Sequence, residues 1–237
     1  MRKNSDLFLQ THTYQKALSV VVFWGCLLIA CLANPQFVAK AMAQDKSGKD
    51  NITIVALGDS LTAGYGLTPG HSFPVRLQAA LVNRNLNVMI KNAGVSGDTS
   101  SGGLERLNWA IPANTNGVIL ALGANDALRG LPPDLTYKNL DKILGTLQKK
   151  HIKVLFVGME APRNLGETYG KQFRQVYKKL AHKYGVLFYP FFLKDVALKS
   201  KLNQSDGIHP NPNGVDQIVR NILPDVEKLI TQIRKSN

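Results

Sequence analysis

The chain predicts an α/β fold built on a parallel sheet, and two patterns along its 237 residues carry that expectation. Short apolar, β-branched runs recur, and amphipathic helical stripes stand between them. Strands alternating with helices form βαβ units, whose crossovers cover both faces of a parallel sheet. A strand covered on both faces reads as a near-continuous apolar run rather than an alternating one. Residues 52–57 form the first such run and end at Gly58. Residues 87–93 are the second, 117–122 the third, again ending at a glycine, 153–159 the fourth and 186–189 the fifth. Helical stripes fill the gaps. Leu140, Ile143, Leu144 and Leu147 recur at i, i+3, i+4 and i+7, as do Phe173, Val176, Tyr177 and Leu180. The C-terminal segment repeats the stripe as Val215, Ile218, Val219, Ile222 and as Val226, Leu229, Ile230, Ile233. Pro224 falls between those two sets and is predicted to kink or split the helix.

The length suits one domain with a sizeable core. Hydrophobic residues at 44% and charged residues at 19% exclude a disordered chain. Residues 1–43 are predicted to lie outside the fold. Arg2, Lys3 and Lys16 precede an apolar run over residues 17–33, Pro35 breaks it, and Ala41-Met42-Ala43 offers a small-x-small cleavage site. That reads as a secretory signal peptide cut after Ala43, which would place the mature chain in the periplasm or outside the cell. Two alternatives stand beside it. The run is short for a spanning helix but could serve as an uncleaved anchor. Leu28-Ile29-Ala30-Cys31 is similar to a lipobox, which would leave a lipoprotein anchored through Cys31. Residues 44–51 read as a polar linker. Both cysteines, Cys26 and Cys31, fall in the leader, so the chain after Ala43 has no disulfide framework, thiol nucleophile or cysteine metal site. The leader holds four basic residues and one acidic, so +10 of the formal +13 remains after cleavage. Such a charge implies either attraction to anionic envelope surfaces or solubility alone. Without an arginine-rich or aromatic-interleaved stretch, nothing suggests a nucleic-acid partner.

Parallel sheets bind ligands beyond the carboxyl ends of their strands, so the loops that follow the runs are the place to look. After the first run stands Gly58-Asp59-Ser60-Leu61. A serine on this strand-to-helix turn can face the cleft with its hydroxyl and aim its N–H at an oxyanion; it can equally be a helix N-cap. The second run leads into Asn92-Ala93-Gly94-Val95-Ser96-Gly97-Asp98-Thr99, where glycines let the backbone approach a substrate and present an N–H. The third leads into Gly123-Ala124-Asn125-Asp126, whose asparagine can donate its amide. Before the last helix stands Asp206-Gly207-Ile208-His209-Pro210. A neutral histidine there can take the serine proton, and a carboxylate three residues earlier can hold the other ring N–H. Each block alone suits an ordinary turn or cap. Together they supply a nucleophile, oxyanion donors and a base with its orienter, which is what acyl transfer requires.

In this order the blocks resemble those of the SGNH (GDSL) hydrolases. Gly58-Asp59-Ser60-Leu61-Thr62-Ala63-Gly64-Tyr65, Ser96-Gly97-Asp98-Thr99-Ser100, Gly123-Ala124-Asn125-Asp126-Ala127-Leu128-Arg129-Gly130 and Asp206-Gly207-Ile208-His209-Pro210-Asn211 look like one branch, the exported bacterial acyl-CoA thioesterase I, arylesterase and lysophospholipase enzymes. Ala124 departs from the glycine expected in many relatives. The resemblance implies a flavodoxin-like three-layer α/β/α sandwich of about five parallel strands, with residues 52–237 as the hydrolase domain. It implies Ser60, Asp206 and His209 as the catalytic set, and the N–H groups of Ser60 and Gly97 with the Asn125 amide as the oxyanion hole. The apolar loop after Asn125, with Leu128 and Leu131, and Pro162 beyond the fourth run are expected to border an acyl chain. Asp59 reads as structural, and His71, His151 and His182 as bystanders. No metal motif or phosphate-binding glycine loop appears, so no cofactor or metal is expected. The expected partner is a small ester or lipid, and the expected state a monomer. The alternatives are a carbohydrate O-acetylesterase of the same superfamily and, in another class, a non-catalytic envelope-binding protein.

Overall fold

The computed structural model describes residues 52–236. The leader, its cleavage site, Cys31 and the linker lie outside the described residues. Five strands form one parallel sheet: β1 (Ile52–Gly58), β2 (Val88–Gly94), β3 (Gly117–Ala121), β4 (Lys153–Val157) and β5 (Leu187–Tyr189), in the order β2-β1-β3-β4-β5. The expected runs coincide with these strands to within one or two residues at their ends.

Eight helices connect and cover the described sheet: α1 (Ser60–Ala63), α2 (Phe73–Val82), α3 (Ser100–Glu105), α4 (Leu107–Ala110), α5 (Ala124–Leu128), α6 (Pro133–Lys149), α7 (Glu167–Tyr184) and α8 (Pro212–Arg234). From β1 the chain steps outward to β2, whereas β3, β4 and β5 follow one another in the opposite direction. Right-handed crossovers therefore put α2 on one face and α6 and α7 on the other. In agreement, α8 packs on α2 and β4, while α6 packs on α7 and α3. The α/β/α sandwich follows. Every residue of β1 and β3 is buried, which explains their uninterrupted apolar sequence.

Of the two outcomes expected at Pro224, the split does not occur: α8 runs unbroken through it. A proline inside a helix costs about 3 kcal/mol. Here Ile218, Ile222 and Leu223 before it and Val226, Leu229 and Ile230 after it are all buried, each contributing about 1.5–3 kcal/mol. The common apolar stripe outweighs one missing N–H. α2 adds a helix that no sequence stripe announced. Phe73, Leu77 and Leu81 are its buried seam, with Pro74 in its first turn.

Register sets up the cleft. Gly58 lies opposite Gly94 on one side and Ala121 on the other. Three adjacent strands, β2, β1 and β3, thus end level, and the loops carrying Ser60, Gly97 and Asn125 leave the sheet side by side. After β5 a long connection returns to the same edge. The isolated bridge between Asn203 and Pro210 closes it, and Gln204 ties it down by donating to the carbonyls of Tyr65 (2.8 Å) and Pro210 (3.0 Å). His209 is carried to the cleft by that bridge.

Candidate active site

The turn that bears Ser60 is built locally. Asp59 caps α1 by accepting from the Leu61 N–H at 3.0 Å, which leaves Ser60 as the first helical residue. The helix then lies directly against Gly94, where any side chain would run into the Ala63 backbone. Beneath, the buried Arg106 donates to the Gly58 carbonyl at 2.8 Å and pairs with the Asp98 carboxylate. The end of β1 and the loop after β2 are thereby joined through one guanidinium.

The structure brings His209, Asp206 and Ser60 together. His209 Nε2 lies 3.0 Å from Ser60 Oγ, and His209 Nδ1 lies 2.6 Å from Asp206 Oδ2. The other Asp206 oxygen accepts from the N–H groups of Ile208 and His209, both at 2.9 Å. Backbone and side-chain donation from His209, with the Ile208 N–H, holds the Asp206 carboxyl down at about 2. An ionised Asp206 accepts only, so the ring proton sits on Nδ1. The Nε2 lone pair then receives the Ser60 O–H. Tyr65 leans on the imidazole, ring centres 4.7 Å apart, and gives the ring an apolar wall.

Gly97 sits at φ +84° in the turn from Val95 to Asp98, a left-handed position that favours glycine. The N–H groups of Ser60 and Gly97 are spent on no other group among the described residues. Asn125, in the first turn of α5, gives one amide N–H to the Asp98 carbonyl at 2.8 Å, and its second has no partner among the described residues. Asp126 is fully buried and accepts from the Ser100 N–H at 2.7 Å, the Ser100 hydroxyl and Thr136, while Asn139 donates to the Ser100 hydroxyl at 3.0 Å. This dry network locks the loop of Asn125 to the loop of Gly97.

The three tentative chain-contact residues sit in different surroundings. Leu128 is exposed, Leu131 half-buried with its carbonyl accepting from the Tyr169 hydroxyl at 2.7 Å, and Pro162 half-buried at the start of a short 3₁₀ turn, Arg163–Leu165. The remaining described histidines sit elsewhere. His71 pairs with Thr68, and His151 and His182 are exposed. Asp59 is structural as expected, and burial pushes its carboxyl up to about 7. Sequence reasoning missed Arg106, Arg129, the Asp126 network and the Tyr65 contact. Their partners are mostly backbone carbonyls and buried groups far along the chain, which spacing does not reveal.

The profile of the GDSL-like lipase/acylhydrolase family matches residues 56–217. An arylesterase of Vibrio mimicus is 35% identical over 202 residues, 85% of this chain and 99% of the relative. The thioesterase 1/protease 1/lysophospholipase L1 of Escherichia coli K12 is 37% identical over 160 residues, 67% of this chain and 76% of that one. Among solved structures, the SGNH-hydrolase family esterase AlinE4 shares 43% identity at a TM-score of 0.64, covering 76% of this chain and 96% of its own.

Proposed function

This chain belongs to the GDSL-like lipase/acylhydrolase family and is an ester and thioester hydrolase, and from that premise we propose that it works through an acyl-enzyme on Ser60. His209 accepts the Ser60 proton as Oγ attacks the acyl carbon. The carbonyl oxygen becomes an oxyanion held by the N–H groups of Ser60 and Gly97 and by the free amide N–H of Asn125. Collapse expels the alcohol or thiol, protonated by His209. Water, deprotonated by the same ring, then cleaves the acyl-enzyme and regenerates Ser60. Asp206 keeps the ring in the right tautomer and stabilises its charged form. The observation that carries this reading is the imidazole bridging Ser60 Oγ at 3.0 Å and Asp206 at 2.6 Å. A fluorophosphonate should label the wild-type protein at Ser60 and abolish its turnover, and Ser60→Ala should take no label. Labelling elsewhere with loss of activity would sink the assignment.

The loop after Asn125 borders the acyl chain. Leu128 is apolar yet 48% exposed beside the donor asparagine, which supports a ligand-facing role. Replacing Leu131 with a polar residue should reduce turnover of long acyl esters more than of acetates, because each methylene contact is worth up to about 0.8 kcal/mol. An equal loss at every chain length would exclude it. Pro162 faces the same test.

Export and envelope attraction complete the proposal: cleavage after Ala43, release into the periplasm or beyond as a monomer, and loose attraction to anionic surfaces. Charge placement supports the last point. On α2, the turn after it and α8, Arg76, Arg84 and Lys228 are paired with Asp216, Glu227 and Asp225. On α7, Lys171, Arg174, Lys178 and Lys179 are exposed and in no ion pair among the described residues. N-terminal sequencing of exported protein should begin at Gln44; a lipid-modified Cys31 would replace the secreted form by an anchored one.

A further inference from the structure

We infer that Arg129 is a positioning residue for the oxyanion hole: from one turn beyond Asn125 it holds the Gly97 carbonyl, and through it the N–H that Gly97 offers to substrate. The inference rests on the acyl-transfer reading of Ser60. Arg129 Nη2 donates to the Gly97 carbonyl at 2.8 Å, and Asn125 Nδ2 donates to the next carbonyl, that of Asp98, at 2.8 Å. The Arg129 N–H in turn donates to the Asn125 carbonyl at 3.1 Å, so the two side chains stand on one helical turn. Residues four apart share a helix face. α5 and its C-cap residue therefore clamp two consecutive carbonyls of the oxyanion loop.

The loop needs such a clamp. Its tip is glycine, at a positive φ that closes a turn whose Asp98 N–H donates to the Val95 carbonyl at 3.2 Å. This fits a type II turn, in which the peptide between Ser96 and Gly97 points its N–H to one side. Glycine reaches other backbone angles at little cost, so the Gly97 N–H keeps its aim only while the Gly97–Asp98 peptide on its C-terminal side is held in place. Packing does not hold it. The space where a Gly97 side chain would stand meets only the Arg129 guanidinium, at 4.0 Å, and nothing closer. With Arg129 removed, the Gly97 carbonyl loses its side-chain donor, and the neighbouring Asp98 carbonyl is left to Asn125, which also donates to the oxyanion. The donors would then reorganise as charge develops, which is what a preformed oxyanion hole avoids. Arg129 directly follows Leu128, so the segment proposed to border the acyl chain is also the one that steadies the donor opposite.

Arg129 is exposed, so its truncation is compatible with a folded protein. The test compares Arg129→Ala and Arg129→Lys with wild type on a neutral, short-chain aryl ester, with thermal midpoints measured alongside. Arg129→Ala should lower kcat about tenfold with KM changed less than about twofold and the midpoint unmoved. Arg129→Lys, which keeps a donor, should recover most of that loss. Combined with Asn125→Ala, the loss should fall short of the product of the single losses, because both act on one loop. Wild-type kcat in Arg129→Ala overturns the inference, and so does a loss confined to KM on anionic substrates, which would make Arg129 a headgroup contact. A Ser60→Ala variant that still turned over would instead remove the acyl-transfer reading itself.

Discussion

The two walls of the cleft are made of different materials. On the oxyanion wall, Asp126 and Ser100 are fully buried, Asn139 and Arg106 nearly so, and their hydrogen bonds join segments as far as 48 residues apart. On the base wall, the Asp206 side chain is 37% exposed and that of His209 18%, and their mutual bonds span three residues. Donors aimed at a charge that exists only in the transition state must be rigid beforehand, so long-range burial suits them. A base must exchange its proton with a leaving group and then activate water, so it stands at the solvent edge. An aspartate that takes the N–H two and three residues on forms a compact turn needing little outside support. Function on the first wall is thus a property of the fold, and on the second a property of a short peptide docked against Ser60.

The largest break in that arrangement is at the point where the walls meet. His209→Ala and Ser60→Ala should each lower kcat by at least about 10⁴-fold on an aryl ester, and the double variant should cost little more, because the pair acts as a unit. Near-wild-type turnover in His209→Ala would assign the base to another group.

Next comes a direct comparison of the walls. Asn125→Ala removes one of the three proposed oxyanion donors and loosens the Asp98 carbonyl, and should lower kcat about 10²–10³-fold with KM nearly constant. Asp206→Asn should lose about ten- to a thousandfold, less than His209→Ala, because water can support an exposed imidazole. The Asp206 carboxyl sits below its usual value, so its charge is present at all pH values above about 4 and is lost only as pH falls through about 2. Steady-state kinetics between pH 5 and 9 should show the Asp206→Asn loss to be nearly constant in fold terms on the alkaline side. A loss that vanished above neutrality would mean that Asp206 does not act on the neutral ring.

The same division explains what the sequence disclosed. The strands were legible because β1 and β3 are buried on both faces and can only be apolar. Ser60, Gly97, Asn125 and His209, the proposed site residues, could be picked out from the sequence because each stands just past a strand or just before the last helix, where chemistry is expected. Asp206 was visible for its three-residue spacing, the local bonding of the base wall. Arg106 and Arg129 were not, since a guanidinium bound to a carbonyl 48 or 32 residues away leaves no pattern. α2 hid because only Phe73, Leu77 and Leu81 mark its seam. Pro224 misled because local propensity was overridden by burial on both sides of it.

The mildest effect belongs to Asp59, which joins the walls from below, next to Ser60. It is fully buried; Oδ1 takes the Leu61 N–H and Oδ2 has no partner among the described residues. Burial is the main force raising its carboxyl from 3.8 to about 7, and the charges of Asp98 and Asp126 add to it. Because the folded value lies above the unfolded one, the native state binds this proton more tightly. The resulting stability is fully present below about pH 4 and is lost as pH rises through about 7. Asp59→Asn keeps an oxygen for the Leu61 N–H, so α1 stays capped and Ser60 stays in place. The variant cannot ionise. Exchanging a neutral carboxyl for an amide also changes the buried hydrogen bonding, so the readout is the pH dependence of the midpoint rather than its absolute value. Thermal unfolding at pH 5 and pH 8 should show the wild-type midpoint dropping relative to the variant by several degrees, about 5 °C for a domain of this size. Parallel curves would mean that Asp59 is already charged at pH 5, held by a counter-charge its surroundings do not reveal.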